Sequence, residues 1–166
     1  MTVKEYNKAV DHFSDGVFRF ILKNIHNENK ARDIVQDTFE KLWIKRDTIS
    51  GEKVKSYLFS AAYHTMIVLI RKEKRHAEFE KMLQPDFKHE EQYSDLNEIL
   101  HAAINMLPES QRAVIMLRDY EGYSYEEIAE ITGLTESQVK VYIYRGRMFL
   151  KNYIVSERKL NIFACA

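Results

Sequence analysis

The chain has 166 residues, with 25 basic and 25 acidic side chains and a formal net charge of zero. Five Gly, two Pro, 45% hydrophobic and 30% charged residues point to a mostly helical protein, either one ordinary domain or two small ones. A single Cys excludes an internal disulfide and a thiolate zinc cluster. No apolar run approaches the roughly 20 residues of a membrane span, and the start, "MTVKEYNKAVD", lacks the apolar core of a secretory signal. Together these imply a cytoplasmic protein without direct membrane insertion.

Apolar residues recur at three- and four-residue spacing through most of the chain, which is the helical signature. The pattern predicts a first helix over about 3–13 and a second over about 15–26, parted near Ser14 and Gly16. Asn27 or Asn29 can cap a third helix reaching Lys45. Its buried stripe would be Ala31, Ile34, Val35, Thr38, Phe39, Leu42 and Trp43. "TISGEK" interrupts the pattern, and a fourth helix starts near Val54 and ends at Arg75 or later.

Between Pro85 and Asp95 the sequence "PDFKHEEQYSD" is acidic and has no apolar face, so it is expected to be a linker. The fold class expected is therefore all-α: two small helical domains, 1–84 and 95–166, joined by a polar linker over 85–94. Asp95 can cap the next helix with Glu98 three residues on. Pro108 suits the first turn of another helix, because its missing N–H costs nothing there, and that helix should end at Gly122.

The stretch "YSYEEIAEITGLTESQVKVYIYRGR" is the most informative. Ser124 and Glu127 form one capping box, Gly133 can close that helix in the left-handed conformation, and Thr135 and Gln138 form a second box. Two helices joined by so tight a turn cross steeply, the geometry of a helix-turn-helix. Ala129 supplies a small residue at the crossing, and Ile128, Leu134, Val139 and Ile143 fill the wedge. The outward face of the second helix then carries Gln138, Lys140, Val141, Tyr144, Arg145 and Met148. Thr135 to Lys159 holds six Lys or Arg against two Glu, so neutrality overall conceals a local basic patch able to meet phosphates or base edges.

No catalytic constellation emerges. "HEEQY" starts like a zinc-protease motif, but Tyr93 stands where the second His is needed. "HNE" and "HAE" lack the downstream cysteines of a zinc deaminase. There is no Gly-rich phosphate loop and no nucleophile elbow, so no catalytic residue, metal ligand or cofactor is expected. Cys165 lies in an apolar tail, "LNIFACA", without a partner Cys.

With these residues in view, the chain resembles bacterial sigma factors of the extracytoplasmic-function type along nearly its whole length. "ARDIVQDTFEKLW" resembles the helix with which domain two of such factors grips RNA polymerase. "KSYLFSAAYHTMIVLIRKEKR" resembles the helix that recognises the minus-ten element, and "LPESQRAVIMLRDYEGYSYEEIAEITGLTESQVKVYIYRGRMFLK" resembles domain four, which binds the minus-thirty-five element. The resemblance implies a protein without enzymatic activity that binds core RNA polymerase and promoter DNA to direct transcription initiation in a regulated or stress response. An anti-sigma factor is a further partner common among relatives. The alternative reading is a conventional helix-turn-helix transcription regulator, which usually carries a sensing or dimerising domain ahead of its reader.

Carried over residue by residue, the resemblance implies that Asp33, Gln36, Asp37 and Glu40 meet the polymerase. It places His64, Arg71, Lys72, Lys74 and Arg75 on the minus-ten side. On the minus-thirty-five side it places Gln138, Lys140, Val141, Tyr144 and Arg145, with Arg147 toward phosphate. Four positions depart from the common pattern. His64 stands where relatives commonly have Asn, Val68 where they have Asp, Tyr142 where they often have Arg or another polar residue, and Gly146 where they often have Ala. A His ring can stack on an unpaired base but cannot reproduce an amide's two-sided hydrogen bonding.

Overall fold

Thr2 starts the first helix: its side chain accepts from the Glu5 N–H at 3.3 Å while Glu5 accepts from the Thr2 N–H at 2.7 Å. This reciprocal box opens α1, Val3–Ile25, which ends at His26 in the left-handed conformation, φ 52°. The computed structural model describes the backbone of residues 1–83 and 96–164 and the side chains of residues 1–77 and 97–157. The expected linker, the Asp95 cap and Cys165 lie outside the described residues.

The expected break near Ser14 and Gly16 is absent; α1 is a single helix of 23 residues. Ala9, Val17, Phe20, Ile21 and Asn24 bury one continuous stripe across the proposed break. An interior Gly costs only about 1 kcal/mol against Ala, which the burial of Phe20 or Ile21 outweighs.

Asn27 caps α2, Glu28–Ile44, by accepting from the Lys30 N–H at 3.0 Å. Ala31, Ile34, Thr38, Phe39 and Leu42 are buried as expected, and Val35 is half-buried. Trp43 is not part of the buried stripe. It is exposed, its ring edge to face with Tyr6 at a centroid distance of 4.9 Å and covered by Arg46. A short 3₁₀ turn, Gly51–Lys53, leads into α3, Val54–Leu83. Lys30–Glu73 at 2.5 Å and Lys41–Thr65 at 2.9 Å join α2 to α3 along the solvent side.

The second lobe begins with α4, Leu96–Met106, and α5, Glu109–Ile115. Pro108 sits at the cap of α5, one residue earlier than its expected place in the first turn. The helix widens into a π turn over Met116–Tyr120 before Gly122, at φ 75°, ends it. Then α6, Tyr125–Thr132, and α7, Glu136–Ala164, form the helix-turn-helix.

The described residues are all-α, in two helical lobes, and the lobes share one hydrophobic core. Phe20, Phe59, Tyr63 and Met66 from α1 and α3 belong to the same buried cluster as Val114, Leu117, Tyr123 and Ile128. Sequence periodicity identifies each lobe's apolar face but cannot show that the two faces meet.

Candidate functional site

Three surfaces carry the residues that the sequence singles out. The first is the solvent edge of α2. Asp33, Gln36, Asp37 and Glu40 are all exposed, and their three- and four-residue steps place them on one helical stripe. Ile44, 68% exposed, continues that stripe at its carboxyl end. The sequence reading missed Ile44 because an apolar residue at a helix end looks like core. A groove of about 310 Å³ lies beside this edge, lined by Ser14, Asp15, Phe18, Arg32, Val35 and Gln36.

The second surface is α3. At 3.6 residues per turn, His64, Val68, Arg71 and Arg75 fall on one stripe, flanked by Lys72 and Lys74. All six are exposed. His64 rests edge to face on the Tyr63 ring, centroids 5.2 Å apart. Arg71 Nε lies 3.5 Å from Glu109 of the other lobe, whereas Lys72, Lys74 and Arg75 have no ion-pair partner among the described residues.

The third surface is the helix-turn-helix. Both capping boxes are closed. Ser124 accepts from Glu127 N–H at 3.1 Å and Glu127 accepts in return at 2.8 Å. Thr135 accepts from Gln138 N–H at 3.2 Å and Gln138 accepts in return at 2.9 Å. The hydrogen bonds from the Ser124 backbone and hydroxyl hold the Glu127 carboxyl below its ordinary pKa. Gly133 takes φ 73° at the turn. Ile128, Val139 and Ile143 are buried between the helices, while Ala129 and Leu134 are half-buried at the crossing.

Of the residues expected to read DNA on α7, Gln138, Val141, Tyr144 and Arg145 share the open face, with Tyr144 67% exposed. Lys140 and Arg147 lie at its borders and are engaged. Lys140 pairs with Glu136 at 3.3 Å and approaches the Tyr125 ring. Arg147 grips both carboxylate oxygens of Asp119 in the π turn, which pushes its pKa up. Asp119 was missed by sequence reading, since the pairing joins residues 28 positions apart. Gly146 is buried against α5, where an added Cβ would overlap the Ile115 δ-carbon and lie 3.3 Å from its Cγ1.

Among the described residues no three His, Cys, Asp or Glu gather to hold a metal ion, and no helix is long and apolar enough to cross a membrane.

Residues 9–76 match the family model for sigma-70 region 2, and residues 97–150 match that for sigma-70 region 4. RNA polymerase sigma factor SigV of Bacillus subtilis is 31% identical over 166 residues, covering 95% of this chain and 98% of that protein. RNA polymerase sigma factor YlaC of the same organism is 28% identical, covering 86% of this chain and 88% of the relative. Among solved structures, the sigma factor RpoE in complex with the anti-sigma factor NepR from Bartonella quintana superposes with a TM-score of 0.74 at 28% identity. That match covers 92% of this chain and 98% of the other. The α2 edge and the α3 stripe lie within the region 2 match, and the helix-turn-helix lies within the region 4 match. The chain belongs to the extracytoplasmic-function sigma factors of the sigma-70 family.

Proposed function

We propose that this sigma factor binds core RNA polymerase through α2, reads the minus-ten element with α3 and reads the minus-thirty-five element with α7. The observation that carries the reading is the open face of α7. A helix-turn-helix with a satisfied capping box at the start of each helix presents Gln138, Val141, Tyr144 and Arg145 of α7 to solvent. Such a helix is rigid enough to enter a major groove, where an Arg can pair with guanine, while the Gln138 amide oxygen stays with the Thr135 N–H.

The exposed acidic edge of α2 suits a basic partner surface on the polymerase. The cationic end of α3 suits phosphates of separated strands, with His64 beside them to stack on an unpaired base. Residues 1–84 and 95–166 act as domains two and four, joined through 85–94. The chain supplies no catalytic group, since the polymerase forms the phosphodiester bond. The protein works in the cytoplasm without a cofactor. An anti-sigma factor that covers these surfaces is the partner proposed to regulate it, by analogy with the NepR complex.

The test is run-off transcription with purified core enzyme, followed by sequencing of the enriched start sites. A shared pair of elements upstream of those sites is the expected result. Operator binding without any association with core would instead favour a conventional regulator.

A further inference from the structure

What α7 buries fixes where its other side chains point. Val139, Ile143 and Gly146 are buried. At about 100° per residue, all three lie within roughly 40° of the direction opposite Val141. Val141 is therefore the outermost point of the helix, and it is exposed. Tyr144 and Met148, also exposed, continue an apolar stripe from it in steps of three and four residues. The fold gains nothing from valine at this place, since an exposed β-branched residue is a weak helix former.

The polar groups nearby leave this point to apolar contact. Gln138, one turn earlier, has its amide oxygen on the Thr135 N–H at 2.9 Å. Lys140 is turned to Glu136 at 3.3 Å. Arg145, one turn later, is exposed and has no ion-pair partner among the described residues. A helix-turn-helix brings the amino-terminal residues of its second helix to the base edges, and Val141 stands in the second turn of α7. Of the groups that bases present in the major groove, one alone is apolar, the C5-methyl of thymine. Tyr144 sits about 60° to the side of Val141, and Met148 roughly 10 Å further along the axis. Val141 is thus the apolar residue best placed to meet that methyl.

We propose that Val141 is a thymine-specificity residue, its γ-methyl groups packing on the C5-methyl of one thymine in the minus-thirty-five element. The inference rests on the assignment of α7 as the reader of that element, and it names one base the helix requires. Arg145 follows on the same face about 6 Å along the axis, close to two base steps of roughly 3.4 Å. The thymine consequently stands within about two base pairs of the pair that Arg145 reads. Cytosine in its place would turn an amino donor toward the valine and strip it of water without a partner. Deoxyuridine would keep the O4 acceptor and leave a gap the size of one methyl.

Deoxyuridine is the probe, because it differs from thymidine by that methyl alone. Binding selection with the holoenzyme on randomised upstream elements defines the preferred bases, and the same selection with Arg145→Ala locates the pair that Arg145 reads. Each selected thymine is then replaced singly by deoxyuridine. One replacement, within about two base pairs of the Arg145 pair, should weaken holoenzyme binding about fourfold, the worth of one buried methyl-sized group. In Val141→Ala the thymine and deoxyuridine promoters should bind within about twofold of each other, the coupling that a double-mutant cycle isolates. Circular dichroism should be unchanged, since the side chain is exposed. A selected element with no thymine near the Arg145 pair overturns the proposal, as does one in which no deoxyuridine replacement is felt. A fourfold penalty that persists in Val141→Ala also overturns it, by assigning the methyl to another residue. A wild-type holoenzyme that selects no upstream element, or an Arg145→Ala holoenzyme with unaltered preference, would strike the assignment of α7 itself. Those results are distinguishable from the others, and the proposal falls with them.

Discussion

Gly146 of α7 lies against Ile115 of α5 so closely that a single added methyl carbon would overlap the Ile115 δ-carbon. Both residues are buried, so α7 reaches its depth against α5 because position 146 has no side chain. Gly146→Ala should therefore destabilise the second lobe by about 1 kcal/mol. An overpacking cost of roughly 1–3 kcal/mol outweighs the ~1 kcal/mol gained in helix propensity. Ile115→Val removes the δ-carbon, and in that background the same Ala should become stabilising. Urea titrations around the double-mutant cycle measure the coupling; additive effects would show that Ile115 simply rotates away.

On α2, reversing the charge at Asp33 and Asp37 should weaken core association at least tenfold while helicity stays native. Both side chains are exposed, so the fold loses nothing buried. Fluorescence titration of labelled chain against core enzyme gives the affinity. Native affinity in a folded double mutant would remove this edge from the polymerase interface.

The two arginines of α7 should behave differently. Arg145 is exposed on the open face, and Arg145→Ala should cost about 1–3 kcal/mol of discrimination at one base pair of the upstream element. Arg147 is held by Asp119, so Arg147→Ala and Asp119→Ala should resemble each other. Each should lower the stability of the second lobe by no more than about 1 kcal/mol, the range for an exposed pair, without changing sequence preference. Binding selection on randomised upstream elements, paired with thermal melts, separates the two classes.

At the minus-ten side, His64→Ala should leave folding and core binding intact, because the residue is exposed. Loss of a stacking platform worth about 1–3 kcal/mol should reduce open complexes tenfold or more. Permanganate reactivity of unpaired thymines reads this directly. The defect should persist on a promoter supplied already melted; normal capture of that strand would assign the base to another residue.

Acid should loosen the helix-turn-helix through Glu127. Its folded pKa lies below the ordinary 4.5, so its contribution is present above that value and is lost as pH falls through the lower, folded one. Glu127→Gln keeps an acceptor for the Ser124 N–H and should retain most of the cap, worth about 1 kcal/mol. Its melting temperature should fall less steeply than that of wild type below pH 4.5, the ordinary carboxylate value. Parallel acid profiles for the two proteins would show that the charge contributes nothing there.

Local interactions made the helix-turn-helix legible before any coordinates. The Ser124–Glu127 and Thr135–Gln138 boxes and the Gly133 turn each need only residues within a few positions, and all formed as the spacing requires. Asn27 as a cap and the inner stripe of α2 were readable for the same reason. The continuity of α1 through Gly16 was not, because burial against α2 and α3 decides it and a lone glycine costs too little to break a well-packed helix. Likewise, no local rule pairs Arg147 with Asp119, fits Gly146 to Ile115, or brings His64 beside Gly133. The sequence by itself determined the helical class, the caps of α2 and the helix-turn-helix, and most of each apolar face. The tertiary structure alone decided that those faces join in one core, because contacts between residues distant in the chain depend on how whole helices dock.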